Sequence, residues 1–441
     1  MNNSCSQGFS LVMVIMLITV LSLMTIILMN QQHRTNKLAK IIADQIEQSS
    51  LDQSNLTREV LYARTRLTTL VEDEEELDPG LDLSQNIWSF KYKSGSSGQL
   101  SPQLGYSADD IFGFALLVKN EGMPFVLSQG SYLDDDLVLT DTLIQYSPPR
   151  LKLHDVVKGE LLTLTKEIEI VVSPQLIEVY ISQFTTHLGS NKSPSIRTDR
   201  SSLPMEVIIF EEPIQTIAGD LFGPIYITSQ DRLDTLVVSG NITFTEDSHI
   251  DKPLVLISGM DVFLKDSLTA TDLVVYSEGG IYLEGSSTAQ GTFYSEKQIL
   301  VTDNSQVLFP SNLIVPKNDV KIYGQPEIGI VMNASVSGFV CVYDTEDSTP
   351  TEARYSLSAK VKKDRSAKLF GGIYCDGSVE AYGTIAGFVR CDRFEQVIKR
   401  TRWVNYLQDI QILRKSIGPD FPLPPIFNNP NLIKVLRVEY L

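Results

Sequence analysis

Between residues 236 and 301 one short pattern returns at a nearly constant step. Leu236-Val237-Val238-Ser239-Gly240 recurs as Val255-Leu256-Ile257-Ser258-Gly259, as Val274-Val275-Tyr276-Ser277-Glu278 and as Thr292-Phe293-Tyr294-Ser295-Glu296. The anchor serines at 239, 258, 277 and 295 are 19, 19 and 18 residues apart. Each is followed by a second run, Ile242-Thr243-Phe244, Val262-Phe263-Leu264, Ile281-Tyr282-Leu283 or Ile299-Leu300-Val301. The pattern is weaker over residues 313–323 and clear again in Gly372-Ile373-Tyr374-Cys375-Asp376-Gly377-Ser378-Val379. A unit this short cannot hide its own apolar face, so the units must stack on one another. The expected fold is mostly β, with a parallel β-helix or related solenoid over residues 221–393 and coils about 4.8 Å apart. A β-sandwich of hairpins explains the strands but not the fixed step. Residues 344–365, rich in Asp, Thr, Ser and Lys, read as a loop inserted from one coil.

The N-terminus carries the second strong signal. Gly8-Phe9-Ser10-Leu11 opens an apolar run to Met29, and no charged side chain appears before His33 and Arg34. As a helix, residues 9–29 extend about 31 Å, the thickness of a bilayer's hydrocarbon core. A cleaved secretory signal needs a basic start, a shorter core and a small-residue cleavage site after it, and none of these is present. The junction resembles that of type IV pilins and the pseudopilins of type II secretion, in which a short polar leader ends in Gly and an apolar helix follows. The resemblance implies a leader at residues 1–8, processing between Gly8 and Phe9, and N-methylation of Phe9. It also implies partners: other pilin-like subunits, an inner-membrane assembly platform, a prepilin peptidase and membrane lipid. Met13 stands where the family usually has Glu, a departure associated with minor or tip subunits, and the leader lacks the usual Lys or Arg. Arg34, Lys37 and Lys40 follow the span, and by the positive-inside tendency alone they would hold the C-terminal side in the cytoplasm. Long domains translocate with little regard to flanking charge, so the C-terminal part is expected to be exported, in the cell envelope or on a surface filament.

Helical spacing continues through residues 30–76 as an amphipathic stalk, and the acidic run 72–76 followed by Asp78-Pro79-Gly80 ends it. Residues 77–105 read as a linker. Residues 106–220 read as a mostly antiparallel β-rich domain of short runs between turn residues. Residues 394–441 read as a C-terminal cap, with Trp403, Tyr406, Leu407, Ile410 and Leu413 at helical spacing. Solenoid ends need such caps, because they expose strand edges. A net charge of -17 opposes a phosphate-backbone partner, so nucleic acid is set aside.

Cys375 and Cys391 both fall at the anchor position of successive coils, which would place their Cα atoms about 5 Å apart, within reach of a disulfide. Two stacked core thiols are the other reading. The four histidines, His33, His154, His187 and His249, show no metal spacing, and no nucleophile elbow or phosphate-cradling loop occurs. Asp261, Asp266, Asp303 and Asp376 are the acids a β-helix enzyme could align, but solenoid corners carry acids for solubility alone. No catalytic residue, cofactor or metal is expected, and the chain reads as a structural subunit rather than an enzyme. Two other classes remain. One is a single-span scaffold resembling bactofilin-type polymers, the other an anchored β-helix protein that binds or cleaves polysaccharide.

Overall fold

A computed structural model of the chain describes residues 81–82, 91–92, 100–120, 122–165, 170–188, 206–209, 214–228, 234–246, 248–250, 254–317, 326–345, 359–418, 421–424, 426–427 and 434–440. The expected leader, span and stalk lie outside these residues. Among the described residues no helix is long and apolar enough to cross a membrane.

From Glu206 to Cys391 the chain runs as strands that each pair in parallel with the equivalent strand one coil away. Every coil contributes strands to three faces, so the large sheet is parallel and solenoid-like, as the repeat predicts. The register is strict. On the second face Leu236, Leu256, Val275, Phe293, Leu313, Val340, Ile373 and Val389 stand one above the next. All eight are fully buried, and they form one continuous apolar core with the matching columns of the other two faces. The repeat weakens in the sequence because residues 317–327 and 344–360 are inserted between the second and third faces of two successive coils. The second of these falls within the interruption expected at 344–365, but Val361–Lys363, expected in that loop, is a strand of the third face.

Residues 116–163 correct the sequence reading. They are not a separate antiparallel domain. Leu116–Val118, Leu137–Leu139 and Leu161–Thr163 pair in parallel with one another, and the first of them pairs with residues 389–391. Tyr132–Leu133 likewise pairs with Ile410–Ile412. The N-terminal strands therefore continue the stack beyond its C-terminal coils. Leu116 and Leu137 extend the interior column above Val389, and Val156 and Val157 close the core at that end. The C-terminal residues differ from expectation too: Thr401–Val404, Tyr406–Leu407 and Ile410–Ile412 are strands rather than a helix. Leu100–Ser107, read as linker and domain start, pairs antiparallel with Lys434–Tyr440.

The second face is buried on both sides. Val237, Ile257, Tyr276, Tyr294, Ile314, Cys341, Tyr374, Arg390, Leu117 and Val138 form its outward column, and none is more than 2% exposed. Parallel sheets are covered in this way on both faces. The cover here is the helix Pro174–Leu188, whose Phe184 lies 6.0 Å from the Tyr276 ring and 6.1 Å from that of Tyr294. Pro174 suits the first helical turn, and Ser173 Oγ accepts the Leu176 N–H at 3.3 Å as an N-cap. Further along, Phe112 stacks on Phe388 at 4.0 Å, and Phe427 meets Phe339 and Tyr374 edge-on. Backbone hydrogen bonds from Ala108 to Phe421 and from Ser173 to Ile426 tie these covering segments together.

Each corner has its own chemistry. Between the third and first faces the chain turns on consecutive residues with positive φ, namely Asp266-Ser267, Gly285-Ser286, Asp303-Asn304 and Met332-Asn333. Gly, Asn and Asp tolerate this conformation best. Between the first and second faces the turn is made by glycines stacked in register, Gly338, Gly371 and Gly387, at φ between 137° and 155°. A Cβ on Gly371 would sit 1.9 Å from the Gly338 carbonyl oxygen. Gly371→Ala should therefore lower stability by about 3 kcal/mol or more, from strain and clash together. Urea denaturation of the variant beside the parent chain measures this, and a loss under about 1 kcal/mol would contradict the corner geometry.

Candidate functional site

The corner after the second face holds the serines of the repeat. Ser258, Ser277 and Ser295 share one register column. Each hydroxyl donates to a carbonyl of the preceding coil, that of Gly240, Met260 or Gly279, and accepts an N–H two residues ahead in its own coil. Ser239 falls out of the column, because the register partner of Ser258 is Val238. Above Ser295 the column continues through Val315, Val342, Cys375, Cys391 and Val118. The two cysteines thus occupy the serine position of adjacent coils and face each other in register, as their spacing implies. Cys341 lies on the outer side of the same sheet. All three are buried free thiols, and burial pushes each well above the ordinary thiol range.

Beside the cysteines lies a cluster of charged side chains. Arg390 is 2% exposed, and its guanidinium carbon lies 4.4 Å from the centre of the Tyr374 ring. Its Nη1 donates to the Cys375 carbonyl at 3.0 Å, pairs with Asp376 and lies 3.7 Å from Asp392. Asp376 also accepts the Asp344 N–H at 3.0 Å, and Asp344 is paired with Lys317 at 2.8 Å. Asp376 and Asp392 each follow one of the paired cysteines, at a bulge in the register, and Arg390 is the cation set beside both. Burial pushes Asp392 up to about 6; Arg390 opposes that shift and Asp376 adds to it. Burial works against the charge on Arg390 as well, but Tyr374 and the two carboxylates outweigh it and hold the guanidinium above its usual range. A second buried cation sits inside the third face. Lys363 takes an interior position in register with Ile330 and Ala381, and it reaches only the Tyr382 and Asp364 carbonyls, at 2.7 and 3.2 Å. Burial lowers its amine to about 8.

After Phe394 a hairpin leaves the regular stack. Residues 395–398 pair antiparallel with Thr401–Val404 across a two-residue turn at Lys399 and Arg400, both at positive φ. Its base is braced by side chains. Gln396 Nε2 donates to the Ala381 and Gln408 carbonyls while its Oε1 accepts the Gln408 N–H. The Tyr382 hydroxyl accepts the Val397 N–H at 2.6 Å, and buried Asn405 accepts the Phe394 N–H at 3.4 Å. Lys399, Arg400, Val397 and Trp403 are exposed, and Trp403 leans on Tyr406 at 5.2 Å. Trp403 was expected in a cap; nearly half of it faces solvent. Lys-Arg is not an Asn-Gly type turn pair, so the only sequence signal of the hairpin is the β-prone run on either side of it.

Gly8 and Phe9 lie outside the described residues. The structure does not bring the four candidate acids together; each serves a corner. Asp261 Oδ1 accepts the Gly280 N–H at 2.7 Å, within a ladder that also joins Asp220 to Asn241 and Asn241 to Asp261. Asp266 and Asp303 make the positive-φ turns, and Asp376 pairs with Arg390. No group of three or more His, Cys, Asp or Glu is placed to hold a metal ion among the described residues. Comparison of the chain with family models, with curated proteins and with solved structures finds no match.

Two substitutions test the buried charges, both read by urea denaturation across pH. Arg390→Met removes the cation that pairs with Asp376 and lies beside Asp392, and should cost about 3 kcal/mol at pH 7. Without that cation, the proton that burial favours on Asp392 becomes worth more to the folded state. The deficit of the variant should shrink as pH falls through 6 toward 4, and a pH-independent loss would refute the assignment. Lys363→Met removes a group whose folded pKa lies below its unfolded value. Its penalty is fully present below pH 8 and is relieved as pH rises toward 10.5. The variant should gain about 1 to 3 kcal/mol at pH 7, with the gain fading between pH 8 and 10.

Proposed function

We propose that this chain is a structural, minor pilin-like or pseudopilin-like subunit. Residues 9–29 lie in the membrane before assembly and in a helix bundle afterwards, and the solenoid-like body is the displayed head. The observation that carries this reading is the Gly8-Phe9-Ser10-Leu11 junction followed by an uncharged run to Met29. Other pilin-like subunits, an assembly platform, a prepilin peptidase and membrane lipid are the partners. In an exported head, Cys375 and Cys391 would close a disulfide between adjacent coils.

A second reading, a single-span solenoid scaffold that keeps its N-terminus, is favoured by the basic flank Arg34, Lys37 and Lys40. Mass spectrometry of protein purified from membranes separates the two. The expected N-terminal peptide begins at Phe9, N-methylated, and alkylation of the denatured protein without reductant leaves Cys375 and Cys391 unlabelled. An intact leader through Gly8 overturns the pilin-like reading in favour of the scaffold.

A further inference from the structure

We propose that the hairpin at residues 395–404 docks on an anionic phospholipid surface. The inference rests on the membrane-anchored reading, which tethers the head to a bilayer, and it adds a second contact to that anchor.

Charge is the first argument. Residues 393–402 contain Arg393, Lys399, Arg400 and Arg402 against a single acid, Glu395, giving a local charge of +3 in a chain of net charge -17. Glu395 is buried and engaged by Arg402 at 3.5 Å. Lys399 and Arg400 are exposed and make no ion pair among the described residues. The positive end of the hairpin is therefore not cancelled by the acidic body behind it.

The apolar side chains are the second argument. In the antiparallel register Trp403 lies opposite Gln396 and Arg402 opposite Val397, so Trp403 marks one face of the hairpin and Val397 with Arg402 the other. Trp403 is 47% exposed and Val397 39% exposed. Tryptophan beside Lys and Arg is the composition of the lipid headgroup region, where an amphipathic ring and a cation are both accommodated. The hairpin is the only antiparallel pairing among the described strands of its sheet, and its turn residues Lys399 and Arg400 are exposed. Exposed basic and aromatic side chains at a hairpin tip suit an extended anionic surface. The braces from Gln396, Tyr382 and Asn405 hold the tip in shape before contact, which reduces the ordering cost of docking.

The chain contains two tryptophans, so Trp88→Phe leaves Trp403 as the sole reporter. The full chain carrying that change is reconstituted in phosphatidylcholine vesicles with and without phosphatidylglycerol. Brominated lipid should quench Trp403 several-fold more when phosphatidylglycerol is present, with a blue shift in emission. Lys399→Glu with Arg400→Glu, both at exposed positions, should return quenching to the phosphatidylcholine level without changing the thermal melt. Equal quenching in the two lipids, or quenching that survives the double charge reversal, overturns the proposal. So does protection of Trp403 from acrylamide by soluble polygalacturonate without any lipid effect, which would assign the tip to an acidic saccharide. Vesicle flotation and the N-terminal peptide mass report separately on the anchor. A chain that fails to float with phosphatidylcholine refutes the membrane span, while quenching by phosphatidylglycerol vesicles added from outside still decides the hairpin.

Discussion

Parallel coils bonded backbone to backbone stand about 4.8 Å apart, and this spacing dictates which side chain meets which. Residues in register become permanent neighbours, so each column must be chemically consistent along its length. The interior columns meet the demand with aliphatic and aromatic side chains from Leu236 to Leu137. The corners meet it with groups that bond upward or forward: serine hydroxyls, the Asp220, Asn241 and Asp261 ladder, and glycines where no Cβ fits. Where carboxylates follow the paired cysteines, at Asp376 and Asp392, a buried guanidinium is set beside them.

The same rule explains what could be read from the chain alone. The period was visible because register repeats it, and the Cys375 and Cys391 pairing followed from the period. Ser239 was aligned one residue off because its coil needs 20 residues, rather than 19, to reach the equivalent of Ser258. Residues 116–163 carried no local sign of their place, since Leu116 finds its partner in Val389, far along the chain. Trp403, Tyr406, Ile410 and Leu413 imitated a helix because Asn405 and Asp409, both at positive φ, interrupt strands at intervals close to a helical turn. The resemblance of the Gly8-Phe9 junction to a pilin processing site rests on the sequence alone, because both residues lie outside the described ones.

Lys363 shows the cost of breaking the column rule. Its neighbours in register, Ile330 and Ala381, are apolar, and Ala381 is small enough to leave room for the long stem. The amine then finds only carbonyl oxygens at the corner. Arg390 breaks the same rule on the outer side, but with two carboxylates and an aromatic ring around it. The contrast separates a tolerated burial from a compensated one, and it locates the compensated one where the two cysteines sit.

The out-of-order stacking of residues 116–163 has a consequence for how such a chain is made. A chain emerging from its N-terminus shows these apolar strands long before the coils at 383–412 that seat them exist, and Leu100–Ser107 waits longer still for Lys434–Tyr440. Pairings this distant in sequence form slowly, because the loop between them must close first. The early strands therefore spend synthesis with open edges, and only a complete chain can close them. A product cut short at its C-terminus would betray itself at its N-terminal coils, giving cellular quality control a length check written into the topology.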